Sequence, residues 1–230
     1  MGISCDRSTL RVAWFIGFSV VLLVACGFAW QFWSINYLAS GSSERSFLLD
    51  VEYDKLRQIL VRNDVTREVI AASGLTLKSD EVEKLVVDTT QDRRPVINAL
   101  LGRSKTELDA TKQLTVSVKN AEVNLDTLRL TQHAEVGNDL INVRTVADKP
   151  TGNLESYETS LKAKRVVNGT EVVVTVQLKV NTAIPRLFQS TARERVQAAA
   201  DKSTKEQEVT LRDIIAKNAN EPTVVLKRGS

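Results

Sequence analysis

His133 is the only histidine in the 230 residues, so any triad or imidazole-based proton transfer must run through it. In "TLRLTQHAEV", residues 127–136, the alternation carries Leu128, Leu130, Gln132, Ala134 and Val136 on one face and turns His133 to the other, wet face. No G-x-S-x-G elbow supplies a nucleophile for it. The two cysteines, Cys5 and Cys26, lie near the front and leave the rest of the chain without thiolates. A metal would have only carboxylates, and none has EF-hand spacing. Neither G-x-G-x-x-G nor G-K-[ST] occurs, so there is no phosphate cradle. The sequence therefore predicts a protein that is not an enzyme and holds no metal and no cofactor.

Charge narrows the partners. After residue 40 the chain carries 29 Lys and Arg against 27 Asp and Glu, too even for the basic stripe of a nucleic-acid binder. Only Phe47, Tyr53, Tyr157 and Phe188 are aromatic in that part, so base-stacking platforms are excluded and the core must be aliphatic.

The front differs. Residues 12–33, "VAWFIGFSVVLLVACGFAWQFW", hold only Ser19 and Gln31 as polar side chains. As a helix they would span about 33 Å, enough to cross a bilayer, and they exceed the apolar centre of a cleaved signal. Trp14 at one end and Trp30, Trp33 and Tyr37 at the other occupy interface positions. Arg7 and Arg11 before the segment place the larger part outside the cytoplasm, periplasmic or extracellular. A second reading starts from "LVAC", residues 23–26, which is similar to a bacterial lipobox and would make Cys26 a lipidated first residue. Either way the domain sits at a bilayer.

The predicted organisation is a cytoplasmic terminus (1–11), a transmembrane anchor (12–38), a polar linker "ASGSSERS" (39–46), a folded domain (46–217) and a loose tail (218–230). Within the domain, "SFLLDV" reads as a strand, and "EYDKLRQILVRND" and "TREVIAAS" as short helices, the second stopped by Gly74. "SDEVEKLVVD" reads as a helix through Val82, Leu85 and Val86, and "RRPVINALLG" as another. "QLTVSV", "TLRLTQHAEV" and "DLINVRTV" make an antiparallel meander. Asn168-Gly169 predicts a type I′ hairpin that sets Ala163 opposite Val174 and Tyr157 opposite Val180.

"EVVVTVQLKVNTAIPRLFQSTARERVQAAA", residues 171–200, switches from a period of two to one of three or four at Pro185, a sharp strand-to-helix junction. Phe188, Ala192, Val196, Ala199 and Ser203 form one predicted stripe, while "DKSTKEQE", 201–208, reads as solvated.

The order of strand, two helices, meander and long C-terminal helix resembles the START-like helix-grip superfamily (SRPBCC), which includes polyketide cyclases and coenzyme Q-binding proteins. "ERSFLLDVEYDKLRQIL" looks like its first strand and helix, and residues 171–200 look like its last strand and gripping helix. Six strands are read, one short of the family's seven unless "LTLK" or "VNL" contributes. The resemblance implies an α+β fold, an antiparallel curved sheet gripping a long helix behind a membrane helix. It also implies an apolar or amphipathic ligand between helix and sheet, in a cleft walled by Val174, Val176, Leu178, Phe188, Ala192 and Val196. The expected function is membrane-anchored binding of a lipid or other hydrophobe, with bilayer and hydrophobic small molecule as partners. The alternative is a scaffold with a filled core that binds another membrane protein.

Overall fold

The computed structural model describes residues 32–60, 63–90, 106–118 and 127–218. Seven strands form one antiparallel sheet: β1 (Ser34–Leu49), β2 (Leu75–Asp88), β3 (Glu107–Val118), β4 (Leu128–Val136), β5 (Leu140–Ala147), β6 (Leu154–Val166) and β7 (Gly169–Pro185). Their order is β1-β7-β6-β5-β4-β3-β2, so the first two strands are the two edges. Helices α1 (Tyr53–Leu60) and α2 (Asn63–Ala72) connect them across one face. After a 3-10 turn at Arg186–Phe188, α3 (Gln189–Asn218) lies on that same face against β1 and β7. The strand that runs into a helix at Pro185 is thus the sheet's second strand handing over to the rod that covers it.

Alternation works as expected on β4, whose Leu128, Leu130 and Val136 are buried while His133 faces out. The seventh strand is β2, and "LTLK" begins it. Its continuation corrects the helix predicted at 79–88. Register shifts between Leu77 and Ser79, and again between Val82 and Lys84, each add one residue to β2 relative to β3. Across the second, Val82 faces Lys112 and Leu85 faces Ala110. A bulge therefore brings two residues three apart to one face, which imitates helical spacing. The helix predicted at 93–102 lies outside the described residues.

The hairpin is displaced by two. Ala163 pairs with Val172 and Tyr157 with Leu178, and the turn residues are Val167 and Asn168. The faces survive because two is the side-chain period of a strand. Gly169, at φ +131, is the first β7 residue; a Cβ there would run into the Leu49 carbonyl of β1. Its glycine serves close approach between strands rather than a type I′ turn.

The linker predicted at 39–46 and the last residues of the anchor predicted at 12–38 are corrected as well. Residues 34–49 form one strand, paired with β7 from Ser34↔Pro185 to Leu49↔Thr170. Small and polar residues here mark a helix crossing, not a tether. Ala39, Gly41 and Ser43 point inward and are buried, and α3 comes so near that a Cβ on Gly41 would stand 2.6 Å from the Val196 oxygen. Along the outer edge of β1, Gln197 donates Nε2–H to the Ser42 carbonyl (2.8 Å) and accepts from the Ser42 N–H (3.2 Å). Arg212 reaches the Leu48 carbonyl at 3.3 Å. Side chains of the helix thereby satisfy an edge that would otherwise invite another strand.

On α3 the buried residues are Ala200, Thr204, Gln207, Leu211, Ile214 and Ile215. The predicted stripe through Ala199 and Ser203 is one position off, and the segment 201–208 is not wholly solvated. Thr204 and Gln207 are buried because their polar groups find partners: Thr204 Oγ1 meets Ser43 Oγ at 2.9 Å. Leu211 and Ile215 join Phe47, Leu56, Ile141 and Val174 in one apolar cluster; Ala200 joins Leu114, Leu130 and Val176 in another.

Among the described residues no helix is long and apolar enough to cross a membrane. Residues 12–31, with Trp14, Cys26 and Trp30, lie outside them.

Candidate functional site

The inward faces of β2 to β6 turn toward α2 and the middle of α3. Because α3 sits over β1 and β7, closely fitted by the small residues of β1, it leaves the rest of the sheet to α2. Between them is a cavity of about 320 Å³. That lies at the lower end of small-molecule sites.

Its walls are mostly aliphatic. Leu130, Ala134 and Val136 come from β4, Ile141 and Val143 from β5, and Val65, Val69 and Ile70 from α2. Val82 and Leu85 of bulged β2, each more than half exposed, reach it from the sheet's edge.

A few hydrogen-bonding groups interrupt this lining. Gln207 of α3, 3% exposed, donates Nε2–H to Ser73 Oγ at 2.7 Å, and its Oε1 faces the Thr159 hydroxyl at 3.5 Å. Ser73 also donates to the Val69 carbonyl (3.3 Å) and hydrogen-bonds the Tyr157 phenol. Burial pushes that phenol's pKa up, and the Ser73 contact opposes the shift. Across the cavity Gln132 Nε2 meets Thr145 Oγ1 at 3.3 Å. Among the described residues Lys112 of β3 is the one charged side chain of the lining. Such a wall can exclude water from a hydrocarbon and still orient a carbonyl or hydroxyl.

The predicted cleft residues do not line this space. Val174 and Val176 are fully buried in the core beneath α3, and Leu178 packs against the same core. Phe188 is 47% exposed at the start of the helix, with Ala192 and Val196 half-buried near β1. The correction has a physical cause: where helix and strand fit tightly no room remains, and space opens only in the part of the sheet α3 does not cover. The residues that do line it carried a signal in the sequence. Gln132, Thr145 and Thr159 are polar at inward positions of alternating strands.

His133, on the outer face, meets Thr111 Oγ1 and Glu135 Oε1, each at 3.2 Å. Trp33 is 69% exposed and Tyr37 pairs with Thr182 in β1. Among the described residues no group of three or more His, Cys, Asp or Glu is placed to hold a metal.

No family model matches the chain, and no curated protein matches it. Solved structures do. The ZhuI aromatase/cyclase from Streptomyces sp. R1128 is similar at 12% identity and TM-score 0.45, covering 81% of this chain and 99% of its own. The di-domain aromatase/cyclase StfQ of the steffimycin biosynthetic pathway is similar at 10% and 0.43, covering 79% of this chain and 52% of its own. A Staphylococcus aureus protein of unknown function is similar at 7% and 0.49, covering 81% and 98%. The chain's own topology, seven antiparallel strands in one curved sheet with a long C-terminal helix across it, fits the helix-grip fold. The expectation that the chain is not an enzyme is corrected by the aromatase/cyclases among the similar structures.

Proposed function

We propose that the domain binds a hydrophobic small molecule bearing at least one hydrogen-bonding oxygen, within the cavity between β2–β6, α2 and α3. The observation that carries this is the aliphatic hollow of about 320 Å³ interrupted by Gln207, Ser73, Thr159 and the Gln132–Thr145 pair. A filled core would have no such space, so the scaffold alternative finds less support. The apolar run at 12–31 would hold the domain at a membrane, outside the cytoplasm, beside a source of such molecules.

Native mass spectrometry of the full chain after gentle detergent extraction tests the reading. A bound small molecule is expected, and Ala134→Phe, which fills the cavity from β4, should abolish it while the circular dichroism spectrum is kept. An empty wild-type protein that also fails to shift an apolar fluorophore would overturn it.

A further inference from the structure

The β1–β7 ladder outruns the rest of the sheet. Leu154↔Val180 is the last pair β7 makes with β6, yet β7 continues with β1 through five more pairs, Leu38↔Asn181 to Ser34↔Pro185. This two-stranded arm is about 17 Å long at roughly 3.4 Å per residue. A ribbon of two strands is marginal in water when nothing covers it. On the arm and at its tip, Phe32, Trp33, Leu38, Leu187 and Phe188 are 59, 69, 51, 38 and 47% exposed. They come from two segments about 150 residues apart in sequence. Exposed apolar side chains brought to one end of the sheet from both segments suit a contact surface.

What covers it follows from the chain that enters it. Residues 12–31 have only Ser19 and Gln31 as polar side chains, and they join the arm through Phe32 and Trp33 alone. With the 39–46 segment inside β1, no spacer separates the apolar run from the sheet. Residues 32–43 carry no charge, and residues 181–200 carry Arg186, Arg193 and Arg195 against Glu194. Aromatic rings beside arginines suit an interface with anionic headgroups.

We propose that the β1–β7 arm lies in the headgroup layer of the bilayer, with Phe32, Trp33, Leu187 and Phe188 inserted to the acyl boundary. The domain then stands on the membrane by this end, and the β2 side of the cavity faces away from the arm's edge of the sheet. The proposal rests on the anchored reading of residues 12–31, but the contact at 187–188 is separately measurable.

The test places an environment-sensitive fluorescent amino acid at position 188 of the full chain, and at position 140 in a control. Leu140 is exposed at the opposite end of the sheet. Both proteins are reconstituted into vesicles of phosphatidylcholine and phosphatidylglycerol. At 188 the emission should shift to the blue and be quenched by lipid carrying a headgroup-proximal nitroxide; at 140 neither should occur. Equal, water-like emission at both positions overturns the proposal. So does a shift at 188 that tracks protein density and ignores the lipid quencher, which would mark a second copy as occupant. Alkaline carbonate washing reports on the anchor separately. Protein that resists washing yet shows aqueous emission at 188 keeps the anchor and loses the arm contact; quenched protein that washes off keeps the arm contact and loses the anchor.

Discussion

Gly41 on β1 lies beneath Val196 of α3 with no room for a side chain: a Cβ would stand 2.6 Å from the Val196 oxygen and 2.8 Å from the Gln197 nitrogen. The obstacle is helix backbone, which cannot swing aside like the end of a flexible side chain. Gly41→Ala should lift the N-terminal half of α3 from β1 and break the Gln197 contacts to Ser42. Overpacking of this kind costs about 1–3 kcal/mol. Urea unfolding should show that loss, and Gly74→Ala separates sterics from backbone effects: Gly74 has open space but φ +75, so only conformational strain acts there.

Two residues further along β1, Ser43 shares a buried hydrogen bond of 2.9 Å with Thr204, and Thr204 also donates within its own helix to Ala200 or Asp201. Thr204→Val keeps the shape but strands the Ser43 hydroxyl, a loss of roughly 1–3 kcal/mol. Adding Ser43→Ala removes the stranded group and should recover part of the stability. A double-mutant cycle measured by urea unfolding checks this; additive single effects would mean that the two hydroxyls do not interact.

How much of this was legible depended on whether a residue's neighbours in sequence or in space set its role. Alternation on β4 and the Pro185 junction are local, so the meander and the C-terminal helix could be read directly. "ASGSSERS" could not, since its small residues answer to a helix more than 150 positions away. Val82 and Leu85 misled because bulges, invisible in one sequence, produce helical spacing on a strand. The site was misplaced for a related reason: the apolar positions of 174–196 show that helix and strand meet, and good fit there is what closes a cleft. Gln132, Thr145 and Thr159 were the better guide, polar groups on faces that point to the core.

Gln207 joins α3 to the cavity. Replacing it with Leu removes the donor to Ser73 and the acceptor for Thr159 while roughly keeping the volume. The Thr159 hydroxyl, left without its acceptor, should destabilise the empty protein by about 1–3 kcal/mol, while Ser73 keeps its bond to the Val69 carbonyl. Ligand preference should move with it: a hydroxyl- or carbonyl-bearing hydrophobe should bind at least several-fold more weakly, and a plain hydrocarbon of equal size no worse. Fluorophore displacement by matched alcohol and alkane pairs reads the difference. Equal weakening of both would reduce Gln207 to a structural role.

Two of the three tyrosines give the fold an alkaline limit. Tyr53, 1% exposed, donates to the Gly137 carbonyl at 2.9 Å, and burial pushes its pKa from 10.0 up to about 12, against the lowering influence of Arg57 and Arg165. Tyr157, buried at the cavity, is also raised. Each phenol holds its proton more tightly folded than unfolded, so its contribution is complete below about pH 10 and is lost above it, for Tyr53 as pH climbs toward 12. For Tyr53 the amount is on the order of 2–3 kcal/mol. Stability measured by urea unfolding should therefore be flat to about pH 9.5 and then fall, with a shallower fall in Tyr53→Phe, which has no proton to lose. Phenolate absorbance gives the same event directly: Tyr53 and Tyr157 should ionise only as the sheet unfolds. Reversible ionisation of these two near pH 10, with the circular dichroism unchanged, would show that neither ring is held as the structure places it.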